Sequence, residues 1–290
     1  MYTDSKHSRA PGFDVRTRGR HSSIGLTTPS PMRALLIAAL ALSACTDRPE
    51  AVAAPMSEPA AAASEASSRT DGVAVVELFT SEGCSSCPPA DRVLKDFADR
   101  ADESGEAILP LSFHVDYWNR LGWADPYSSA AFTARQRAYA AAGAFDRGRV
   151  YTPATIVNGR NGFVGSRRAT AERAVARALE AAPATTLDLE VAVSGRDVTV
   201  RYDAAAPDGA VVHLALVEDD TSQDVTRGEN RGRRLVHARV VRAFETVEAG
   251  AGTATLRLPS DLEAEGARIV GYVQDGPVGR ILGGTQARLG

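Results

Sequence analysis

Val73-Ala-Val-Val-Glu-Leu-Phe79, then Cys84-Ser-Ser-Cys87, then Pro88-Pro-Ala-Asp91: this stretch decides how the chain is read. The first run is apolar except for one carboxylate and has the length of a buried strand. From Pro89 to Arg100, Val93, Leu94 and Phe97 recur at helical spacing. Two cysteines separated by two residues can close a small disulfide ring. A thiol near a helix N-terminus has its pKa lowered and becomes a nucleophile. Strand, C-x-x-C and helix in this order form a redox signature. The 290 residues hold only three cysteines, so the third needs its own account.

That account lies at the N-terminus. Residues 1–31 are polar and have no apolar period. Met32-Arg33 then leads into Ala34-Leu-Leu-Ile-Ala-Ala-Leu-Ala-Leu42 and Ser43-Ala44-Cys45. A basic start, a short apolar run and small residues at a cut site read as an export signal over residues 32–44. The apolar run is too short to span a bilayer. Leu42-Ser43-Ala44-Cys45 also resembles the lipobox of bacterial lipoproteins. That resemblance implies cleavage before Cys45, acylation of its sulfur and a periplasmic, membrane-anchored protein. The alternative is a plain signal peptide cut nearby, giving a soluble periplasmic or secreted protein with Cys45 free. Met32 is the expected start, with residues 1–31 an extension ahead of it. Residues 45–70, rich in Ala, Ser, Pro and Glu, read as a flexible tether. An exported chain is expected where disulfides persist. With Cys45 acylated, only Cys84 and Cys87 keep thiols, as a redox pair or as half a metal site.

From residue 71 to residue 183 strand and helix signals alternate. Ala107–Phe113 reads as a second buried strand, Ser129–Gly143 as an Ala-rich helix with a Gly stop, and Ala154–Val157 as a short strand. Asn158-Gly159 marks a turn, Phe163-Val164 begins another strand, and Thr170–Ala182 forms a helix stopped by Pro183. This βαβ–αββα order is that of a thioredoxin fold. After residue 184 the period becomes two. Leu187, Leu189, Val191 and Val193 alternate with more polar residues, as do Val198, Val200 and Tyr202. Further strands are expected at Val211–Val217, Leu235–Val241, Ala254–Leu258 and Ile269–Val273. The expected fold class is therefore an α/β thioredoxin-like domain (71–183) followed by a smaller all-β, sandwich-like domain (184–290). The formal net charge of −3 gives no reason to expect nucleic acid.

Val76-Glu-Leu-Phe-Thr-Ser-Glu-Gly-Cys-Ser-Ser-Cys-Pro-Pro-Ala-Asp91 resembles a family of exported bacterial thioredoxin-like proteins of unknown function. So do Phe113-His-Val-Asp-Tyr-Trp118, Phe132-Thr-Ala-Arg-Gln-Arg-Ala-Tyr139, Tyr151-Thr-Pro-Ala154 and the distal Arg227-Gly-Glu-Asn-Arg-Gly232. The resemblance covers nearly everything from Val73 onward and implies a thioredoxin-like fold with a β extension, but no settled substrate.

The chemistry expected is thiol–disulfide exchange on protein thiols or disulfides. Cys84 is the candidate attacking thiol, exposed and low in pKa, and Cys87 the resolving thiol. Pro88 and Pro89 lack the N–H groups of an early helix start, so Cys84 is expected a turn outside the helix. The family resemblance places Pro153, after Thr152, as a cis-proline facing the cysteines; the sequence alone supports an ordinary trans turn. Glu77, a lone carboxylate in an apolar strand, is a candidate base for Cys87 if buried, and a strand-edge residue facing water otherwise. Because the two strands are expected to run parallel, His114, Asp116 and Trp118 fall at the same sheet edge as the cysteines. With Tyr151 they form a candidate substrate-binding rim, or alternatively a packed loop covering the core.

Two other readings stay open. Cys84, Cys87 and His114 could hold or deliver copper or another metal, although no second ligand pair accompanies them. The chain could also be a non-catalytic binding module, with Arg227, Arg231, Arg233 and Arg234 as an anion patch rather than a solvated hairpin loop. No organic cofactor is expected, since no Gly-rich phosphate loop is found.

Overall fold

The computed structural model describes residues 72–290. The extension 1–31, the export signal 32–44, Cys45 and the tether 45–70 lie outside the described residues.

The first half contains β1 (Ala74–Thr80), α1 (Pro88–Ser104), β2 (Ile108–His114), α2 (Ala130–Ala141), β3 (Ala154–Val157), β4 (Arg160–Val164) and α3 (Arg168–Glu180). Each element lies within a few residues of its expected place. Local chemistry sets the ends. Gly105 closes α1 in the left-handed conformation that an L side chain resists, at φ +71°. Ser129 caps α2 by accepting from the Ala131 amide at 3.2 Å. Seven strands follow: β5 (Leu187–Ser194), β6 (Asp197–Ala204), β7 (Val211–Val225), β8 (Arg233–Glu248), β9 (Ala251–Arg257), β10 (Ala267–Gln274) and β11 (Ile281–Arg288).

The expected fold class needs correction. The chain does not build an α/β thioredoxin-like sheet followed by a small all-β sandwich. It builds one mixed sheet of eight strands in the order β11-β10-β7-β8-β2-β1-β3-β4, beside a three-stranded sheet β5-β6-β9. Four strands from beyond residue 184 thus extend the sheet begun by β1 and β2. The join is β8, which runs parallel to β2 with Ser112 opposite Val240. β7 and β8 have 15 and 16 residues, well beyond the usual strand, and their outer halves overhang the first part of the chain. Alternation of period two identifies a strand but not the edge it pairs with. That choice is made by contacts distant in sequence, and this part of the architecture was invisible locally.

Three apolar clusters follow from the topology. Ala74, Val76 and Leu78 of β1 pack under Val93, Leu94 and Phe97 of α1. Their alternates Val75 and Phe79 pack on the other face against Phe132 and Tyr139 of α2. Val198, Val200 and Leu256 of the small sheet close over Leu214, Leu216 and Ile269 of the large one. The turn expected at Asn158-Gly159 joins β3 to β4, with Gly159 at φ +70°. A Cβ there would also run into the Gly279 carbonyl oxygen. Gly159→Ala is therefore expected to cost about 1–3 kcal/mol, through backbone strain and overpacking, in urea unfolding at unchanged m-value.

Candidate functional site

β1 ends at Thr80 and the chain turns through Ser81, Glu82 and Gly83 into the C-x-x-C. The Gly83 amide donates to Ser81 Oγ at 3.1 Å, and the Cys84 amide to the Ser81 carbonyl at 3.1 Å. Cys84 and Cys87 are joined as a disulfide with their Cα atoms 5.4 Å apart. Cys87 is the N-cap of α1, and its carbonyl accepts from Ala90 at 2.8 Å. Pro88 and Pro89 occupy first-turn positions, where a missing N–H costs little. Cys84 lies a turn ahead of the helix, as the prolines suggested. Both cysteines are 0% exposed, whereas Ser85 and Ser86 between them face solvent. The exposed attacking thiol expected at Cys84 is thus found covered in the disulfide form.

Ser86 Oγ lies 3.4 Å from Cys84 Sγ, and the connection between β7 and β8 binds across the same loop. Asn230, itself 0% exposed, donates from Nδ2 to the carbonyls of Glu82 at 2.8 Å and Cys84 at 2.9 Å. Arg233 orients it by donating to Asn230 Oδ1 at 3.0 Å. Glu229 accepts from the Ser85 hydroxyl at 2.7 Å and the Ser85 amide at 3.1 Å, which holds its carboxyl below the ordinary range. Gly228, at φ +71°, lies against Trp123, where a Cβ would sit 3.1 Å from that of Trp123. Arg234 is taken up by Asp224 and Ser222. The Arg227–Gly232 segment is therefore a strap across the disulfide loop.

Beneath the loop lies a sealed cluster of two imidazoles and three carboxylates. His114, at the end of β2, meets Asp125 Oδ2 through Nδ1 at 2.8 Å. His237, on β8, meets Glu82 Oε1 through Nε2 at 3.1 Å. The two rings stand edge to face with centroids 4.8 Å apart. Asp125 Oδ2 also accepts from the Glu82 amide at 2.8 Å, and Glu82 Oε2 accepts from Trp123 Nε1 at 2.7 Å. Asp91, on α1, accepts from the Thr80 hydroxyl at 2.7 Å. His114 Nε2 and His237 Nδ1 are buried without a hydrogen-bond partner.

Burial alone would push the His114 imidazole down; the charge and hydrogen bond of Asp125, then the charges of Asp91 and Glu82, outweigh it and hold the pKa above its ordinary 6.5. Burial pushes Asp125 up, but the His114 charge and bond and the amides of Glu82 and Tyr127 bring it below its ordinary 3.8. The sign of the linkage follows for each partner. His114 contributes its full stability below pH 6.5 and loses it as pH rises through the raised value; Asp125 contributes above 3.8 and loses it as pH falls through the lowered one. The pair stabilises most between those limits. Asp125→Asn leaves burial dominant, so the His114 pKa is expected to fall below 6.5 in an imidazole NMR titration. A His114 still titrating above that value would contradict the pairing.

The other candidates fall in two places. Trp118 donates from Nε1 to Thr152 Oγ1 at 2.8 Å, and its Cβ lies against Gly83, so it bridges the Thr152–Pro153 turn to the residue before Cys84. The Thr152–Pro153 peptide bond is cis. Asp116 is tied instead to α2, accepting from Thr133 Oγ1 at 2.6 Å. Tyr151 packs against Phe145, and its carbonyl accepts from Gln136 at 2.7 Å. Glu77 is buried as required of a base, yet it belongs to another network. Its carboxylate accepts from Arg135 Nε at 2.7 Å, from Tyr272 at 3.0 Å and from Tyr139. Neighbouring Val76 and Leu78 face α1, so Glu77 points to the opposite face of the sheet from the helix that Cys87 caps.

Among the described residues, no group of three or more His, Cys, Asp and Glu is arranged to hold a metal ion. No helix among them is long and apolar enough to cross a membrane. The sequence reading passed over Glu82, Asp125, Asn230 and His237. No sequence signal marked His237; only the structure shows that its strand buries Leu235 and the histidine while leaving Val236 51% exposed, an inversion of the usual preference.

Comparisons with known proteins agree with this architecture. A crystal structure of a protein from Agrobacterium tumefaciens is 28% identical, with a TM-score of 0.57 over 76% of this chain and 96% of that one. HBP35 of Porphyromonas gingivalis, at 13% identity and a TM-score of 0.52 over 76% of each chain, shares the fold alone. No curated protein matches the chain. The family described as "Protein of unknown function (DUF1223)" matches residues 75–274, a span holding the disulfide, the strap and the whole buried cluster, and the chain belongs to that family.

Proposed function

We propose that this chain is an exported thiol–disulfide oxidoreductase, acting on protein thiols or disulfides through Cys84 and Cys87. The observation that carries the reading is the Cys84–Cys87 disulfide, placed at the start of α1 over a buried set of titratable groups. Perturbed titratable groups concentrate at functional sites, and this cluster, unlike the Arg135 network, lies beside a reactive bond. In the oxidising direction a partner thiolate attacks Cys84 Sγ. The Cys84–Cys87 bond breaks and its electron pair leaves on Cys87 Sγ. A second partner thiolate then attacks the partner sulfur of the mixed disulfide, releasing the oxidised partner and the Cys84 thiolate. Cys84 is the sulfur offered because it lies in the loop with solvent-facing Ser85 and Ser86, whereas Cys87 is built into the helix cap.

Cys87→Ala tests this chemistry directly. It is expected to hold a stable mixed disulfide between Cys84 and 5-thio-2-nitrobenzoate, seen as a single adduct by mass, whereas the native protein expels the adduct and returns to its disulfide. A native protein that retains the adduct sinks the exchange reading. For the periplasmic, membrane-held location the carrier is Leu42-Ser43-Ala44-Cys45. Mass spectrometry of membrane-extracted protein should show an acylated N-terminal Cys45, and an unmodified Cys45 removes the anchor.

A further inference from the structure

We infer that Asp91, backed by His237 and His114, takes the proton from the Cys87 thiol as that sulfur attacks a mixed disulfide and returns it in the reverse step. The inference rests on the exchange reading above. Glu77 was the carboxylate expected in this role, but it is held on the other face by Arg135, Tyr139 and Tyr272. Asp91 follows Cys87 by four residues, with its amide donating to the Cys87 carbonyl at 3.2 Å. That spacing sets the two side chains one turn apart on the same helix face. The residue is 5% exposed. Thr80 fixes Oδ1, and Oδ2 faces His237 Nδ1 at 4.0 Å.

Three titratable groups act on it: His237 from β8, His114 from β2 and Asp125 from the segment after β2, with Glu82 from the loop before Cys84 joining the cluster through His237. Burial raises the Asp91 carboxyl; His237, Thr80 and His114 pull it back only in part. A raised carboxyl is better matched to a thiol as a proton acceptor. The independent sign is the pair of orphaned imidazole nitrogens, His237 Nδ1 and His114 Nε2, sealed in the same cluster. A buried nitrogen without a partner is costly, and the nearer of the two, His237 Nδ1, is turned toward Asp91 Oδ2.

The step balances. Cys87–SH and Asp91–COO⁻ give Cys87–S⁻ and Asp91–COOH. The thiolate attacks Cys84 Sγ of the mixed disulfide, and the partner sulfur leaves with the bonding electron pair. Behind Asp91, His237 Nδ1 lies 4.0 Å from Oδ2, with its Nε2 anchored on Glu82.

The test is the rate at which the reduced full-length protein is oxidised by oxidised glutathione between pH 5 and 9. Asp91→Asn is expected to be about 100-fold slower near pH 7, with the gap closing as pH approaches the thiol pKa. Asp91→Glu should recover part of the rate. Equal rates and equal pH profiles in the native protein and a folded Asp91→Asn overturn the inference while leaving the exchange reading intact. A native protein whose thiols alkylate but never oxidise overturns both. If Asp91→Asn does not fold, the native protein decides. The inference predicts that reduction shifts the imidazole ¹⁵N resonances of His237 and His114, and unchanged resonances contradict it.

Discussion

Arg135→Ala is expected to destabilise the protein by about 3–5 kcal/mol. The guanidinium is buried among five acceptors, three of which share the two Nη2 hydrogens. It donates to Glu77 at 2.7 Å, to Tyr272 at 2.9 Å, to Tyr139 at 3.0 Å, and to the Pro277 carbonyl and Gln274 Oε1, each at 3.1 Å. Its carbon centre lies 5.0 Å from the rings of both Tyr139 and Phe244, so aromatic faces add to the charge contacts. Burial, then the Glu77 charge, raises the Tyr139 hydroxyl far above the usual phenol range. Burial likewise raises Tyr272. Both stay protonated and donate to Glu77. Nearby His213 is pushed down to about 3 by burial and by the Arg135 charge, so it remains neutral at pH 7 and does not compete.

Removing Arg135 strands the Glu77 carboxylate in the core. It also unties α2 from β10, elements drawn from the two halves of the sequence. Urea unfolding at pH 7 measures the loss. The control is the double variant Arg135→Met with Glu77→Leu, which removes both charges and is expected to regain most of the stability. A loss below about 1 kcal/mol for Arg135→Ala would show that the network does not hold the sheet to its helix.

Asn230→Ala is expected to speed reduction of the disulfide by dithiothreitol roughly 10- to 100-fold. The side chain makes two hydrogen bonds to carbonyls of the disulfide loop from a fully buried position. Losing it leaves the Glu82 carbonyl unsatisfied and the Cys84 carbonyl with only the Cys87 amide, a penalty of about 1–3 kcal/mol on the closed strap. Because both sulfurs are covered, a thiolate reaches Cys84 only through an open form, and its population sets the rate. Glu229→Gln should give a smaller increase, since that carboxylate is exposed. Stopped-flow kinetics with alkylation of the free thiols reads both variants. An Asn230→Ala rate equal to that of the native protein would mean that the strap does not gate the disulfide.

These residues also show where sequence reasoning works. The helix at Pro88, the C-x-x-C at its cap, the parallel pair β1–β2 and the turn at Asn158-Gly159 were legible because each depends on neighbours a few residues away. Cys84, Cys87, His114, Trp118 and Thr152 do gather around one loop. Glu77 was found as a buried carboxylate, but its face of the sheet was not; alternation along β1 gives two faces and does not say which one carries α1. His237 and Asn230 were beyond reach because they lie some 150 positions from the cysteines and arrive through β8. The assignment of the later strands to a separate sandwich failed for the same reason. The length of β7 and β8, and their docking beside β2, are settled by burial across the whole sheet.

The most direct test of the account is a redox equilibrium of the native full-length protein. It is equilibrated in glutathione buffers of graded ratio, quenched with an alkylating agent and weighed. The account predicts one reversible two-electron transition, with Cys84 and Cys87 gaining label together and the same midpoint reached from either side. A pair that stays oxidised across the whole range and in excess dithiothreitol, or that releases thiols without ever re-forming the bond, would contradict it and leave the disulfide as a structural clip.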